Sequence, residues 1–275
     1  MPELPEVETV VKSLKKRVLN LIINKVEIFY PKIIKTNISV LDFQKQIENR
    51  KISDIQRIAK YIIFVLEDKV LISHLRMEGK WFLYDKNEVY DKKHVLATFH
   101  LSNNKILNYH DTRKFGTFDL QDLNDYKSNN PIKKLGPEPF VLEANSNYLY
   151  EKMSKSTRHI KTMLLDQTII AGIGNIYADE ILFDAKISPL ITGNFLKPKD
   201  YQRIIESSKK ILKKSIELGG TTIDSYQPEQ GIDGKFQNEL KVHTRKGKKC
   251  YECGNEIIKL KVNGRGTYYC KTCQY

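Results

Sequence analysis

Four cysteines near the carboxyl end constrain the fold of this chain more than any other feature of its sequence. They form two Cys-x2-Cys pairs, Cys250 with Cys253 and Cys270 with Cys273, separated by 16 residues. This spacing is typical of paired knuckles that hold zinc tetrahedrally through four thiolates. Because the pattern contains no histidine, carboxylate or open ligand, we expect one structural Zn²⁺ that holds together a module too small to fold alone. No catalytic metal or organic cofactor is expected.

The charge of the chain favours a polyanionic partner. Its 275 residues carry 46 lysines and arginines against 33 acidic residues, a net charge of +13. Nine of the basic residues, against two glutamates, lie in residues 241–275 around the cysteines. A basic zinc module suits phosphate and hence nucleic acid, although a lysine-rich solvated surface also explains the charge.

The sequence also predicts an intracellular protein. No stretch approaches the roughly 18 consecutive apolar residues that a membrane span needs. The first residues, MPELPEVET, lack the cationic start and the apolar run of a signal peptide. Cysteines confined to the last 26 residues indicate a metal site rather than a disulfide framework.

The hydrophobic pattern divides the chain into a β-rich first half and a helical second half. Apolar residues recur at helical spacing over residues 5–19, and Pro5 suits the first turn. Short β-rich runs follow without crossover helices, which favours an antiparallel sandwich. They include residues 25–30, 61–66, 70–74, 95–101 and 105–109, and Asn103-Asn104 is a plausible hairpin turn. Helical spacing returns at residues 146–153, 158–166, 175–185 and 199–217.

The expected fold class is therefore α+β, with an N-terminal helix and antiparallel β-sandwich followed by a helical domain and a four-cysteine finger. We place the sandwich domain at residues 1–130 and the helical domain at 146–238. Turn-forming residues indicate a linker at 131–145, and the finger takes up 239–275. A Gly-containing loop at 219–238 is long enough to indicate a function.

The amino terminus offers unusual chemistry. Methionine is removed when the next residue is small, so we expect the mature chain to begin with the secondary amine of Pro2. An α-amine titrates near 8, which leaves a neutral fraction able to attack a sugar carbon. Glu3 lies beside this amine and can exchange a proton with the sugar, and Glu6 lies about one helical turn further on. Taken alone, these residues are better explained as an ordinary helix start, because an acidic first turn stabilises a helix through its dipole and proline is common there.

Several motifs decide between these interpretations. The start PELPEVET closely resembles that of the formamidopyrimidine-DNA glycosylases, and the similarity continues through RIAKY, SHLRMEG, DTRKFG, LGPEPF, AGIGNIYADE, GGTT and GRGTYYCKTCQ, in the family's order. The resemblance spans nearly the whole chain. It implies a β-sandwich, a helical helix-two-turn-helix domain and a terminal zinc finger, in agreement with the pattern described above.

The resemblance implies roles for individual residues. Pro2 would be the Schiff-base nucleophile, Glu3 the acid and base at the deoxyribose, and Lys60 a proton donor during elimination. Arg265 would assist the second, δ-elimination. The family's everted nucleotide would be clamped through its phosphates by Lys60 and Arg265 together with His74 and Asn175.

Further contacts to DNA follow from the same resemblance. Met77, Arg113 and Phe115 would fill the gap left by the everted nucleotide, whereas core packing is the alternative for Met77 and Phe115. Additional backbone contacts are expected at His94, Arg158 and Lys161, with a solvated surface as the alternative. The predicted lesion contacts are Glu6, Glu78, Ile223, Asp224, Ser225 and Tyr226, and Asp224 is an unusual acidic residue for a loop that faces DNA.

The resemblance implies a monomeric enzyme acting on damaged double-stranded DNA in the bacterial cytoplasm, associated with the nucleoid through that DNA. It would excise 8-oxoguanine and formamidopyrimidines and cut the strand by β,δ-elimination. An endonuclease VIII-like enzyme for oxidised pyrimidines is the nearest alternative, and Leu4 favours the purine enzyme. A protein that binds damaged DNA without chemistry is the third possibility, against which Pro2, Glu3 and Lys60 argue.

Overall fold

The computed structural model describes residues 1–221 and 234–275. Within them the chain forms two compact units, Met1–Lys133 with Thr221 and Gly234, and Lys134–Gly220 with Lys235–Tyr275. Thr221, which the sequence pattern grouped with the helical domain, belongs to the first unit. The four-cysteine finger belongs to the same unit as the helices.

The first unit is an antiparallel β-sandwich, as expected. Its strands are β1 Ile22–Ile28, β2 Arg50–Lys51, β3 Asp54–Ile58, β4 Tyr61–Leu66, β5 Lys69–His74, β6 Lys80–Asp85, β7 Val95–Leu101, β8 Lys105–His110 and β9 Thr117–Asp122. One sheet has the strand order β2-β1-β7-β8-β6 and the other the order β3-β4-β5-β9. A helix that the pattern did not predict, α2 Val40–Ile47, is capped by Ser39, whose hydroxyl accepts the Asp42 N–H at 3.0 Å.

The core of the sandwich lies between its two sheets. Its centre is Trp81, which is 3% exposed and packs its ring against Phe64, Phe99, Tyr109 and Phe118 at centroid distances of 5.0–5.5 Å. Burying a large apolar side chain contributes about 1.5–3 kcal/mol. The core therefore fixes the strand ends from which the functional loops leave.

Helix α1, Leu4–Val18, begins at the cap residue Glu3. Its apolar face, Val7, Val10, Leu14 and Val18, is buried in the sandwich core. The predicted periodicity over 5–19 is thus confirmed to within one residue at each end. Burial of this face fixes the amino terminus against the sandwich.

The second unit combines four helices with a two-stranded hairpin among its described residues. The helices are α3 Ser146–Met153, α4 Ile160–Leu164, α5 Asn175–Asp184 and α6 Pro198–Glu217, and the strands are β10 Ile257–Val262 and β11 Arg265–Cys270. Helix α4 is shorter than the predicted 158–166, and the other three agree within one residue. In the described ranges, every helix is too short or too polar to cross a bilayer.

Candidate active site and nucleic-acid interface

The start of α1 is held by a buried carboxylate. Glu6 is 3% exposed, and its Oε2 accepts the backbone N–H of Glu3 at 2.8 Å, which satisfies a free donor at the helix start. Its Oε1 accepts the N–H of Thr221 at 2.8 Å and the Thr221 hydroxyl at 3.0 Å. Glu6 therefore holds both the N-terminal turn and Thr221, which lies near the start of the 219–238 loop.

The terminal amine lies in a partly desolvated, charged environment. Burial lowers the pKa of the Met1 ammonium, and the nearby positive charge of Lys60 acts in the same direction. The carboxylates of Glu3, Glu6 and Glu78 oppose this shift of the pKa. The fold thus gathers around the chain start the groups that sequence reasoning assigned to catalysis in this unit.

Glu3 and Lys60 come to this place from different elements. Glu3 is the cap of α1 and is 2% exposed, whereas Lys60 lies in the two-residue turn between β3 and β4 and is 4% exposed. Buried charged side chains are rare unless they are paired or functional. Surface placement, the ordinary alternative for Lys60, is therefore ruled out.

His74 is held in one protonation state. It ends β5, is 6% exposed, and its Nδ1 accepts the N–H of Arg76 at 2.9 Å. Burial lowers the pKa of His74 to about 3, and the charges of Arg76 and Lys60 act in the same direction. A neutral imidazole that accepts at Nδ1 carries its proton on Nε2, so His74 can offer one uncharged donor to an oxygen ligand.

Two loops that leave the sandwich are packed around one side chain. Tyr109 is fully buried, and a Cβ placed on Gly79 or Gly116 would lie 2.0 or 1.8 Å from its hydroxyl. Only glycine fits at such a distance. Tyr109 thereby fixes the ends of the 75–79 and 111–116 segments, which carry the side chains predicted to enter the DNA.

The 111–116 loop is organised by Asp111. Its Oδ1 accepts the N–H of Arg113 at 2.9 Å, and its Oδ2 accepts those of Phe115 at 2.9 Å and Gly116 at 2.7 Å. These bonds shape the loop so that Arg113 and Phe115 project from it. Phe115 is 52% exposed, so core packing is ruled out for it, and the Arg113 guanidinium lies 4.8 Å from its ring centre.

The neighbouring loop carries Met77 and Glu78, which are both half-buried. The Thr112 hydroxyl donates to the Glu78 carboxylate and so joins the two loops. His94 has a φ of 71°, and its carbonyl accepts the Asp111 N–H at 3.0 Å. His94 thus supports the loop through its backbone, and a contact of its side chain with DNA remains a prediction.

In the second unit, Asn175 begins α5 after a tight turn. Gln167 shapes this turn: its amide donates to the Ile173 carbonyl at 2.9 Å and its Oε1 accepts the Gly172 N–H at 2.9 Å. The Asn175 Nδ2 donates to the carbonyl of Gly266 at 3.1 Å, and the start of α5 places the positive end of the helix dipole beside it.

Arg265 and Lys161 have opposite environments. Arg265 begins β11 directly after the Asn263-Gly264 turn and is exposed. Lys161 is fully buried, with its Nζ 2.7 Å from the Asp179 Oδ1. An ammonium with no surface cannot reach a phosphate, so the predicted backbone contact of Lys161 is wrong.

Arg158 is exposed and bidentate to a single carboxylate oxygen. Its two terminal nitrogens each donate to Asp166 Oδ2 at 3.1 Å. The Arg158 guanidinium is therefore paired with Asp166 and is also exposed to solvent. Its contact with DNA stays a prediction.

The four cysteines form one cluster. Their sulfurs all lie within 4.8 Å of one another, with Cys250 and Cys273 3.9 Å apart and Cys253 and Cys270 3.4 Å apart. Tetrahedral zinc with bonds of about 2.3 Å requires sulfurs roughly 3.8 Å apart. The donor set and spacing fit one structural zinc.

The finger is built onto α5. Phe183 of that helix packs in one apolar cluster with Val242, Cys250, Ile257 and Cys270. Glu180, 2% exposed, accepts the backbone N–H groups of residues 241, 242 and 243 at 2.8–2.9 Å. Burial raises the pKa of the Glu180 carboxyl despite these donors.

Sequence reasoning missed several residues that hold the predicted site residues and their loops in place. Tyr109 and Gln167 lie outside the family motifs, whereas Asp111 and Asp179 lie within DTRKFG and AGIGNIYADE but were given no role. An aspartate at the head of a turn is a recognised local signal that could have indicated Asp111. Of the predicted lesion contacts, Ile223, Asp224, Ser225 and Tyr226 lie outside the described residues.

Comparison with known proteins agrees with this geometry. Three family models match the chain in order: the formamidopyrimidine-DNA glycosylase N-terminal domain at residues 1–118, the corresponding H2TH domain at 135–227, and a zinc finger found in FPG and IleRS at 247–274. The formamidopyrimidine-DNA glycosylase of Mycoplasmopsis pulmonis is 44% identical over 275 residues, which cover 100% of this chain and 98% of that protein.

Solved structures of Lactococcus lactis Fpg are also similar. The complex with DNA containing an abasic site has a TM-score of 0.91 and 42% identity, with 100% of both chains covered. The complex of the wild-type protein with DNA containing an oxidised pyrimidine has a TM-score of 0.91 and 41% identity, with 99% of each chain covered.

Proposed function

Because the chain belongs to the formamidopyrimidine-DNA glycosylase family, we propose that it excises 8-oxoguanine and formamidopyrimidines from duplex DNA through a Schiff base on Pro2. The chain is a DNA glycosylase of oxidised-base repair, and its family also cleaves DNA at abasic sites. The observation that carries the proposal is the partly desolvated terminal amine in the electrostatic field of Glu3, Lys60 and Glu78. DNA binding would hold the protein at the bacterial nucleoid.

The nucleophile requires removal of Met1, which turns the Pro2 nitrogen from an amide into a secondary amine. The environment that lowers the pKa of the terminal ammonium at Met1 favours the neutral amine that attack requires. The Pro2 lone pair attacks C1′, and the bond from C1′ to the damaged base breaks with the electron pair leaving on the base. Glu3 is placed beside this reaction to move protons on the deoxyribose.

The Schiff base then leads to strand cleavage. After the attack the Pro2 nitrogen is a cationic ammonium, and it loses its proton to regain a lone pair. That lone pair expels O4′ from C1′, which opens the sugar and gives an iminium, and O4′ takes up a proton. The iminium makes the proton on C2′ acidic. Loss of this proton and departure of the 3′-phosphate with its electron pair complete β-elimination, during which Lys60 would be the proton donor.

In δ-elimination, the C4′ proton is lost and the C5′–O bond breaks. The 5′-phosphate leaves with the electron pair of this bond, and the conjugated system that includes the Pro2 nitrogen becomes an iminium again. The exposed guanidinium of Arg265 would neutralise the departing phosphate. The result is a one-nucleotide gap with phosphate at both ends.

Access to C1′ requires the nucleotide to leave the helix. The exposed Phe115 and Arg113 and the half-buried Met77 are suited to fill the resulting gap. His74, Lys60, Asn175 and Arg265 are proposed to bind the phosphates around the everted nucleotide. His74 would do so as a neutral donor, since burial keeps the pKa of its imidazole far below neutrality.

The lesion preference is proposed from Leu4 and the family resemblance. A related Lactococcus lactis structure contains DNA with an oxidised pyrimidine, which keeps an endonuclease VIII-like preference as the second candidate. We propose Glu6 and Glu78, with residues 223–226, as the lesion contacts. Both oxygens of Glu6 already accept bonds from Glu3 and Thr221, so its contribution to lesion binding is proposed to be indirect, through Thr221.

Borohydride trapping on a duplex with a single 8-oxoguanine tests the proposal. Wild-type protein should form a covalent adduct, while a lysine inserted between Met1 and Pro2 should retain Met1 and lower trapping by about 1,000-fold or more. Pro5→Ala, a proline substitution within the same helix start, is the control and should form the adduct.

A mass spectrum showing Met1 still attached to trapped wild-type protein would refute the Pro2 mechanism. DNA binding without any adduct would instead support a protein that recognises damage without chemistry. Duplexes with an oxidised pyrimidine, run in parallel, decide between the two lesion classes.

A further inference from the structure

In the second unit, a fully buried ion pair joins helices α4 and α5 next to strand β11 of the finger. Lys161 is 0% and Asp179 1% exposed, and the Lys161 Nζ lies 2.7 Å from Asp179 Oδ1. The same Nζ donates to the Gly266 carbonyl at 2.9 Å and to the Thr267 hydroxyl at 2.8 Å. The ammonium is thus in ion-pair contact with one carboxylate oxygen and donates to two acceptors at the start of β11.

Asp179 holds the same strand with its other oxygen. Its Oδ2 accepts the backbone N–H of Tyr268 at 3.2 Å and lies 2.8 Å from the Nδ1 of His243. The His243 ring in turn packs edge-on against the Tyr268 ring at 4.9 Å. The pair thus fixes three consecutive residues of β11, from Gly266 to Tyr268.

The turn before β11 is also held by hydrogen bonds. The Asn175 amide donates to the Gly266 carbonyl at 3.1 Å, and the Asn263 amide donates to the Thr162 hydroxyl at 3.1 Å. Arg265 lies between these anchored residues, and its own side chain is exposed. The backbone of Arg265 is therefore held on both sides by α4 and α5, while its guanidinium faces solvent.

Stability alone is a poor explanation for such a pair, because desolvation offsets much of the attraction between two buried charges. Their bonds are instead directional, and they end on the residues next to Arg265. A guanidinium that neutralises a leaving group must be placed closely, since misplacement by about 1 Å can lower a rate by 100-fold.

We propose that Lys161 and Asp179 are positioning residues for Arg265, and that they set the fraction of cleavage events that proceed from β- to δ-elimination. This inference rests on the proposed function, in which Arg265 assists departure of the 5′-phosphate. Neither Lys161 nor Asp179 touches the substrate. Both act through the backbone of residues 266–268.

The test uses full-length, zinc-loaded protein and a duplex with one abasic site. Lys161→Met alone leaves Asp179 as an unpaired buried charge and is prone to unfold. The double variant Lys161→Met/Asp179→Asn removes both charges and is the informative one. Products ending in the β-elimination aldehyde or in phosphate are separated at single turnover, and borohydride trapping measures the Schiff base independently.

We expect the double variant to form the trapped adduct within about twofold of wild type and to give an approximately tenfold smaller δ-product fraction, an estimate based on the effect of misplacement. Adding Arg265→Ala to it should lower the fraction no further, because residues that act as one unit are not additive. The same substitutions at the pair Lys210–Asp184, in which the lysine is 68% and the aspartate 19% exposed, are the control and should leave the fraction unchanged.

An unchanged δ-fraction in the folded double variant overturns the inference, as does an effect that adds fully to that of Arg265→Ala. An unchanged fraction in Arg265→Ala itself overturns it as well, because nothing would then remain to be positioned. Failure of the proposed function is distinguishable, since wild-type protein would then give no trapped adduct at all.

Discussion

At the scale of single residues, His74 shows how burial decides a chemical state. Sequence alone gives a histidine that could be charged or neutral at physiological pH. In the fold, desolvation and the nearby positive charges of Arg76 and Lys60 all oppose protonation, and the pKa of His74 falls to about 3. The ring therefore offers a donor but no charge to the phosphate contact proposed for it.

This state makes stability depend on pH. The unfolded chain takes up the proton near pH 6.5 and the folded chain only near the lowered pKa of about 3, so the contribution is complete above pH 6.5 and is lost as pH falls toward 3. At pH 5, His74 should destabilise the protein by ~2 kcal/mol relative to pH 7. His74→Asn, which can still accept the Arg76 N–H, should not show this loss.

The measurement is chemical denaturation of both proteins at pH 7 and pH 5. His94→Asn is the control, because asparagine tolerates the positive φ of 71° at that position. Equal pH dependence in wild type and His74→Asn would contradict the assignment of the buried neutral ring.

At the scale of elements, the loops between strands are shaped from within the sandwich. Tyr109 stands between Gly79 and Gly116, and Asp111 accepts three backbone N–H groups of one loop. A strand prediction identifies where such loops begin. It does not identify which core side chain they close around.

Gly116→Ala tests this packing. The added Cβ would lie 1.8 Å from the Tyr109 hydroxyl, so we expect destabilisation of about 1–3 kcal/mol and weaker binding to duplex DNA. In a Tyr109→Phe background, part of the loss should be recovered because the hydroxyl is gone. Denaturation and DNA titration measure both effects, and an identical loss in the two backgrounds would show that Tyr109 does not limit the space.

At the scale of the whole molecule, the two units have different sources of stability. The sandwich has an aromatic core around Trp81, whereas the finger has a small cluster around Cys250, Cys270 and Phe183. Such a small core depends on its metal, since zinc supplies about 10–16 kcal/mol in isolated zinc-finger peptides.

Removal of zinc should therefore affect the units separately. A strong chelator is expected to release one zinc per chain, unfold the finger and abolish DNA binding. Trp81 is the only tryptophan, and its fluorescence reports the sandwich alone, so its emission should stay unchanged. Retention of DNA binding after measured zinc loss, or simultaneous loss of the Trp81 signal, would be contrary to this expectation.

Much of the architecture was predictable because it depends on local or covalent patterns. The cysteine spacing predicted the sulfur cluster, and apolar periodicity predicted α1, α3, α5 and α6 nearly to the residue. Helix α2 was not predicted because it has only eight residues within a β-rich stretch. The motifs indicated Glu3, Lys60 and His74; the fold brought Glu3 and Lys60 near the chain start and placed His74 close to Lys60.

The sequence by itself determined the chemistry available to this protein: a secondary amine after loss of Met1, an acid beside it, and four thiolates at zinc spacing. Tertiary structure alone decided which basic side chains meet solvent. Lys161 and Arg265 read alike as cations suited to phosphate, yet one is fully buried against Asp179 and the other is exposed. The reason is physical, since burial of a charge depends on partners such as Thr267, 106 residues away along the chain.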